Sequence, residues 1–339
     1  MVVGAGAMGS STAWWLARRG RDVVLLEQFP AGHARGSSHG GVRIFRLGYT
    51  DPRYVRLALD AIPLWRELEA DAGRPLLELT GAVDHGAPAE IDALVAAFDV
   101  AGARHERLSV GDAAERWPHL RTEGEVLFHP DGGRCLAAAT VASLQERAMA
   151  HGADVRFDTG PASVEPAGDG VVVRAAGEEW RAPVAVLTAG AWLPRLVAVD
   201  LPPLTVTREH VQHFRPRDGF GDPTAWPSVI HRRPPWAYGL LDPALGLKVA
   251  HHGVGPVVDP DTEPAPDPAM AADVARYVEE WLPGVDPTPT DLERCLYTTT
   301  PTEDFVLERH GPLVIGSPCS GHGFKFTPIV GRILADLAE

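Results

Sequence analysis

The sequence predicts an α/β protein in which a discontinuous Rossmann-like nucleotide-binding domain is joined to a β-rich substrate-binding domain. Three observations carry this reading. The chain opens on Met1-Val2-Val3-Gly4-Ala5-Gly6-Ala7-Met8-Gly9, which reads as a strand, a glycine turn and a helix start. A fully apolar run, Val184-Ala185-Val186-Leu187-Thr188, breaks at Ala189-Gly190, as a buried parallel strand does. The tail returns to the same grammar, with Leu313 to Gly316 followed by Gly321 to Lys325. Strand–turn–helix passages thus lie at both ends and in the middle, and proline-rich, strand-like sequence lies between.

Each element follows in order. Gly4 makes the first turn, Gly6 lets a pyrophosphate approach the backbone, and Gly9 lets the helix pack closely on its strand. The helix runs from Ser11 to Arg19 and stops at Gly20, with its positive N-terminus placed for phosphates. A second strand, Val23 to Leu26, ends in Glu27, whose carboxylate can accept hydrogen bonds from an adenosine ribose. The motif alone does not separate FAD from NAD. Only three residues precede Gly4, whereas a strand usually holds about five or six, so the first strand is expected to begin upstream of Met1. The stretch Pro30 to Gly41 is a loop of small and polar residues able to lie against a ligand, and it feeds an extended Val42 to Arg46. Leu57 to Glu69 has helical apolar spacing, Leu77 to Asp84 reads as one strand, and Ile91–Ala101 and Val110–Trp117 read as short helices.

Ala137 to Gly152 is a helix leading to a strand at Asp154 to Phe157. Ser163–Glu165 and Val171–Arg174 form a hairpin around Gly168-Asp169-Gly170, continued by Trp180 to Ala182. From Thr205 the pattern turns to β, with Glu209–Phe214 and Leu247–His251 as strands, Met270–Trp281 as the one clear helix and Val257–Pro268 as a solvated loop. A last helix starts at about Gly331 and runs into Glu339. The expected division assigns 1–80, 137–204 and 299–339 to the nucleotide domain, and 81–136 and 205–298 to the substrate domain.

Composition narrows the partners. With 45% hydrophobic and 22% charged residues over 339 positions, the chain is an ordinary globular enzyme by composition. Its net charge of −14 disfavours nucleic acid and anionic membranes. No apolar run is long enough to span a bilayer, and no basic segment with a following apolar stretch marks a secretory signal. Cys135, Cys295 and Cys319 are too few and scattered for a disulfide framework or a zinc site, so no metal is expected and a reducing, cytoplasmic compartment fits.

Five stretches together resemble the glycine/D-amino-acid oxidase superfamily of flavoproteins, in its branch of monomeric sarcosine oxidase and N-methyltryptophan oxidase. They are Gly4 to Gly9 with Glu27; Gly36-Ser37-Ser38-His39-Gly40 with Arg43 and Arg46; Ala189-Gly190-Ala191-Trp192; Cys295-Leu296-Tyr297-Thr298; and Ser320-Gly321-His322-Gly323-Phe324-Lys325-Phe326. They span nearly the whole chain, and the last two are the most specific. The resemblance makes the nucleotide FAD and implies a thioether from Cys295 to the flavin 8α carbon; by composition alone Cys295 reads as a small buried hydrophobe. It implies further FAD contacts from Ala7, Met8, Gln28, Ser37, Val164, Gly190, Trp192, Gly321, Gly323 and Phe324.

Arg46 and Lys325 are expected to hold a substrate carboxylate, the first with a planar fork of donors and the second as a point charge. The bland alternative is two surface cations, against which their glycine-rich contexts speak. The resemblance sets Arg43 and His39 beside the flavin ring, where Arg43 adds positive charge; His39 reads equally as a packed loop histidine. Lys248 falls at the family's oxygen-activating position, where an ammonium stabilises superoxide as it forms; on an apolar strand it could otherwise snorkel to solvent. The segment between Tyr238 and Lys248 is one residue shorter than in the sarcosine enzyme. Tyr238, Tyr297 and His252 match the substrate pocket, and Leu240 replaces an aromatic residue there, so the substrate need not be sarcosine. The implied activity is oxidation of a secondary or N-alkyl amino acid to an imine, with O2 reduced to hydrogen peroxide by a monomer. Two alternatives stay open: a flavin dehydrogenase with another electron acceptor, against which Lys248 speaks, and a flavin-binding subunit without catalysis.

Overall fold

Two large sheets set the architecture. In the computed structural model, which describes residues 1–196, 199–263 and 265–339, six strands form a mainly parallel sheet. Its spatial order is Val306–His310, Leu313–Ser317, Ala185–Leu187, Val2–Val3, Val24–Leu26, Asp154–Arg156. Only the edge strand Val306–His310 runs antiparallel to its neighbour. Successive residues of a strand point to opposite faces, and both faces are covered. Val2, Leu25, Val186 and Val314 pack with the helices Ala7–Arg18, Pro52–Ala72, Ala137–Ala150 and Thr327–Ala338. Val3, Leu26, Leu187 and Ile315 pack instead against Val171, Val173 and Trp180 of a three-stranded antiparallel sheet, Ser163–Ala167, Gly170–Ala175 and Glu178–Ala182. Burial on both sides explains why these strands read as continuous apolar runs. The predicted turn needs Gly9: a Cβ there would lie 1.9 Å from the Gly4 carbonyl oxygen and 2.4 Å from Thr188 Oγ1.

The second sheet has eight strands in the order Val285–Thr299, Thr205–Pro216, Gly246–His251, Ala237–Asp242, Ser228–Arg232, Ala82–Gly86, Glu125–His129, Glu106–Leu108. One face carries Phe214, Val229, Leu241, Leu247 and Val249 onto Val274 and Val278 of the helix Pro268–Trp281. The other face walls the cavity described below. The segment after Tyr238 closes in a tight turn, with Ala237–Asp242 and Gly246–His251 in register from Ala237↔His251 to Asp242↔Gly246.

One expectation needs correction. Leu77 to Asp84 is not one strand: the chain turns at Gly81, with φ of 84°, so Leu77–Glu78 pairs with Gly133–Leu136 while Ala82–Gly86 joins the eight-stranded sheet. Gly133–Leu136 pairs with Val42–Phe45 and Leu77–Glu78. The run Val257–Pro268 is an exposed loop as expected, with Thr207 bridging Val257 and Asp259 and Asp261 pairing with Arg195. Pro264 of that run, and positions 197 and 198 of the 137–204 segment, lie outside the described residues.

Candidate active site

A cavity of about 830 Å³ opens at the carboxyl ends of the parallel strands and extends under the eight-stranded sheet, the position where open α/β sheets bind ligands. At its nucleotide end the backbone of Gly4 to Met8 lines the wall. The Ala7 N–H donates to Ser38 Oγ at 3.0 Å, which ties the helix N-terminus to the glycine-rich loop. Glu27 is buried, and its two carboxylate oxygens accept from the N–H groups of Ala5 at 2.8 Å and Phe29 at 3.1 Å. A carboxylate has about four lone-pair sites, so these bonds fix its orientation and leave capacity for ribose hydroxyls. Gln28, Gly190 and Trp192 also reach the cavity. Val164 does not: it packs in the hairpin core opposite Val173, and Gly160, Pro161 and Ala162 supply the wall instead.

The middle of the cavity is bounded by Ser37, His39, Arg43, Lys248 and Cys295, brought together from the strand Val42–Phe45 and the loop before it and from two strands of the large sheet. Ser37 Oγ donates to the Leu296 carbonyl at 2.5 Å. Cys295 is buried, with Arg43 Nη2 3.8 Å from its sulfur. Burial raises the Cys295 thiol pKa, and the charges of Arg43 and Lys248 oppose that rise. Lys248 does not snorkel: it is 2% exposed, and its ammonium donates to Glu293 Oε2 at 2.7 Å and to the Val42 carbonyl at 3.3 Å. Burial, then Arg43, pulls its pKa from 10.5 down to about 8 against the pull of Glu293. His39 is held to about 4 by burial and Arg43, so its imidazole is neutral at ordinary pH.

The far end holds Arg46, Lys325, Tyr238, Leu240, His252 and Tyr297. Lys325 is 1% exposed, so the reading of a surface cation fails. Its Nζ donates to the His322 carbonyl at 2.5 Å and to Tyr49 Oη at 3.0 Å. Tyr49 lies 3.1 Å from His322 Nδ1, and His322 Nε2 lies 3.0 Å from the Glu303 carbonyl. A carbonyl only accepts, so Nε2 carries the proton and Nδ1 accepts from Tyr49; a directed chain then runs Lys325, Tyr49, His322, Glu303. Arg46 stacks 4.5 Å over the Tyr49 ring and donates to the Gly48 carbonyl. That carbonyl also accepts from Arg232 at 2.6 Å, and Arg232 pairs at 2.7 Å with the fully buried Asp84, which His129 approaches at 3.3 Å. Burial, then the charges of Arg46 and Lys325, lowers His252 to about 4; its Nδ1 sits 3.4 Å from Tyr297 Oη.

Sequence reasoning missed Glu293, Tyr49, His322, Ser38 and the Asp84–Arg232 pair. Two signals were available. Glu293, Cys295 and Tyr297 alternate along one strand and so share a face. The chain also has 31 lysines and arginines, of which only Lys248 and Lys325 are lysine, and both line this cavity.

A dinucleotide cradle continuous with a buried, cation-bearing chamber defines the class, a nucleotide-dependent oxidoreductase. The chain belongs to the DAO family of FAD dependent oxidoreductases, whose profile matches residues 1–337. Over all of its length it is 35% identical to monomeric sarcosine oxidase of Streptomyces avermitilis, of which it covers 92%. It is 34% identical to peroxisomal sarcosine oxidase of Mus musculus, again over the whole chain and 91% of that protein. Its fold matches NikD, an unusual amino acid oxidase essential for nikkomycin biosynthesis, with a TM-score of 0.86 and 28% identity over 99% of this chain and 92% of that one. The residues present fit FAD: the helix N-terminus and Glu27 suit its adenosine diphosphate half, and the cavity runs on without a break to Arg43, Lys248 and Cys295.

Proposed function

We propose that this FAD-dependent oxidoreductase oxidises the C–N bond of a secondary or N-alkyl amino acid, releasing an imine that hydrolyses in water, and passes the electrons to O2 to give hydrogen peroxide. The observation that carries the substrate class is the pair Arg46 and Lys325, both facing the far chamber and neither neutralised by a carboxylate within hydrogen-bond reach. Arg46 stays charged, and Lys325, whose charged form burial and then Arg46 disfavour, is favoured in that form by an anionic ligand, so the pair suits a carboxylate. The names of the sarcosine oxidases it resembles support an N-methyl amino acid.

The flavin supplies the electron chemistry, taking a hydride equivalent from substrate and yielding two electrons to oxygen. The chain supplies the rest. Arg46 and Lys325 orient the carboxylate, with the Tyr49–His322 relay holding the ammonium in place. His252, neutral beside two cations, lines the same chamber without adding charge. Leu240 offers an apolar wall. Lys248 would provide a positive charge where oxygen is reduced, and Cys295, which lines the cavity, would form a thioether to the cofactor. A monomer in the cytoplasm completes the reading; among the described residues no helix is long and apolar enough to cross a membrane.

An anaerobic bleaching screen over N-methyl and cyclic amino acids tests it. Bleaching by at least one such compound, followed by peroxide on admitting air, is expected. Bleaching without peroxide would favour a dehydrogenase with another acceptor. No bleaching by any amino acid would refute the substrate class.

A further inference from the structure

Three groups at the middle of the cavity converge on one carboxylate. Glu293 Oε2 accepts from Lys248 at 2.7 Å, and Glu293 Oε1 lies 3.4 Å from Arg43 Nη1 and 3.5 Å from His39 Nδ1. Glu293 does not itself line the cavity; it stands behind the residues that do, with its side chain 11% exposed. It fits there because residue 40 is glycine: a Cβ at Gly40 would lie 2.2 Å from Oε1. We propose that Glu293 is a positioning residue for oxygen reduction, the counter-ion that keeps Lys248 charged and its ammonium fixed beside the cofactor. This rests on the oxidase reading of the site.

The electrostatics require such a group. Arg43 and Lys248 share a water-poor pocket, and two like charges there destabilise each other. Arginine stays charged in proteins, so lysine is the one that gives up its proton. The other titratable neighbours do not supply the missing negative charge. His39 and His213 are both lowered by burial first, and so are neutral. The Cys295 thiol is raised by burial and stays protonated. Asp242 spends one carboxylate oxygen on the N–H groups of Ala244 and Leu245, at 2.8 and 3.2 Å, and makes no hydrogen bond to Lys248. Glu293 is ionised, its pKa brought to about 2 by Arg43 and Lys248 in spite of burial. With Glu293 the cluster holds one net positive charge on two cations; without it the same net charge is reached by emptying Lys248.

The chain's two lysines make this directly measurable. Protein grown on lysine labelled with 13C at Cε gives two side-chain signals, and Lys248→Met identifies which is which. In the FAD-loaded protein the Lys248 signal is expected to titrate near pH 8. Glu293→Gln should move that midpoint down by at least about one pH unit, a tenfold loss of proton affinity, and leave Lys325 in place. Glu293→Asp, which keeps the charge on a shorter stem, should shift it in the same direction but less. If Glu293→Gln does not fold or retain FAD, the Asp variant carries the test.

A kinetic readout is independent of any substrate. After reduction with dithionite, reoxidation in air should slow above the Lys248 midpoint, and in Glu293→Gln that kinetic midpoint should fall by the same pH interval as the Lys248 signal. In a Lys248→Met background the same change should slow nothing further. An unmoved Lys248 midpoint in either variant, an equal shift of Lys325, or an additional slowing in the Met background would overturn the proposal. Failure of the amino acid screen would leave these measurements standing.

Discussion

Replacing Lys248 with methionine separates the two halves of the catalytic cycle. The substitution keeps length and volume and removes the charge. Taking the new negative charge on oxygen at about 4 Å from the ammonium, with an effective dielectric of about 20, the lost attraction is on the order of 4 kcal/mol. Glu293 lies 2.7 Å from Nζ on the side away from the cavity, so its repulsion acts from about 7 Å and amounts to roughly 2.5 kcal/mol. That repulsion persists in the variant, and the difference between the two proteins is therefore the full lysine contribution, about a thousandfold in rate. Stopped-flow absorbance on one sample reads both phases. Near-normal anaerobic bleaching by substrate is expected, then return of the yellow colour about a thousandfold more slowly. In the unmutated protein that return should itself slow as pH rises through about 8, because burial has lowered Lys248 to that value and the charged form is lost above it. Reoxidation of Lys248→Met at the normal rate refutes the charge argument. Failure to bleach while the flavin is still bound would make Lys248 a substrate or structural residue.

Three further outcomes are expected. Acid precipitation should leave the flavin in the pellet, and Cys295→Ala should release it to the supernatant; free flavin from the unmutated protein counts against the thioether. Arg46→Ala should lower kcat/KM for an amino acid by at least about thirtyfold, the lower end of the 2–5 kcal/mol typical of a broken charged hydrogen bond, with less effect on an amine lacking the carboxylate. Equal losses on both would assign Arg46 to loop support. Asp84→Asn should destabilise the fold by about 3–5 kcal/mol, since it leaves Arg232 buried without its counter-ion, read as a lowered urea midpoint. Burial raises the Asp84 pKa, but Arg232 and His129 outweigh it and hold the carboxyl well below its ordinary 3.8. The pair's stabilisation is thus present in full above about pH 4 and is lost as pH falls through the lowered value; a mutational penalty that is unchanged in acid would contradict it.

The nucleotide half was legible because its signals are local. Gly4 to Gly9 and Glu27 encode a turn, a helix start and a strand end within one unit, and strands covered on both faces need no partner to be recognised as apolar runs. The short strands Glu106–Leu108, Glu125–His129 and Gly133–Leu136 escaped because their sequences are mixed and their order comes from distant pairing. His129 and Arg134 look like surface residues in sequence and are buried, each satisfied by a carboxylate far along the chain. The site divides the same way. Arg43, Arg46, Lys248, Cys295 and Lys325 sit in recognisable stretches and do meet in one cavity. Glu293 sits two residues before Cys295 in a run with no glycine to mark it, and its meaning comes only from the three partners it collects across the fold. Val164 differs in another way: its neighbourhood in sequence borders the cavity, while its own side chain packs in the hairpin core.

The distribution of cations has a practical consequence. All 29 arginines and only two lysines make up the 31 basic side chains, and those two are 2% and 1% exposed. Arginine does not react with the acylating and reductive-alkylating reagents that modify primary amines. Large amine-reactive dyes and activated resins therefore meet no exposed lysine on this protein, and coupling through lysine will not immobilise it. A small carbonyl reagent that can enter the chamber faces the reverse situation, because the only lysine amines within its reach are Lys248 and Lys325. Side-chain amine chemistry that labels most proteins indiscriminately becomes, here, with the α-amine set aside, a probe of the interior.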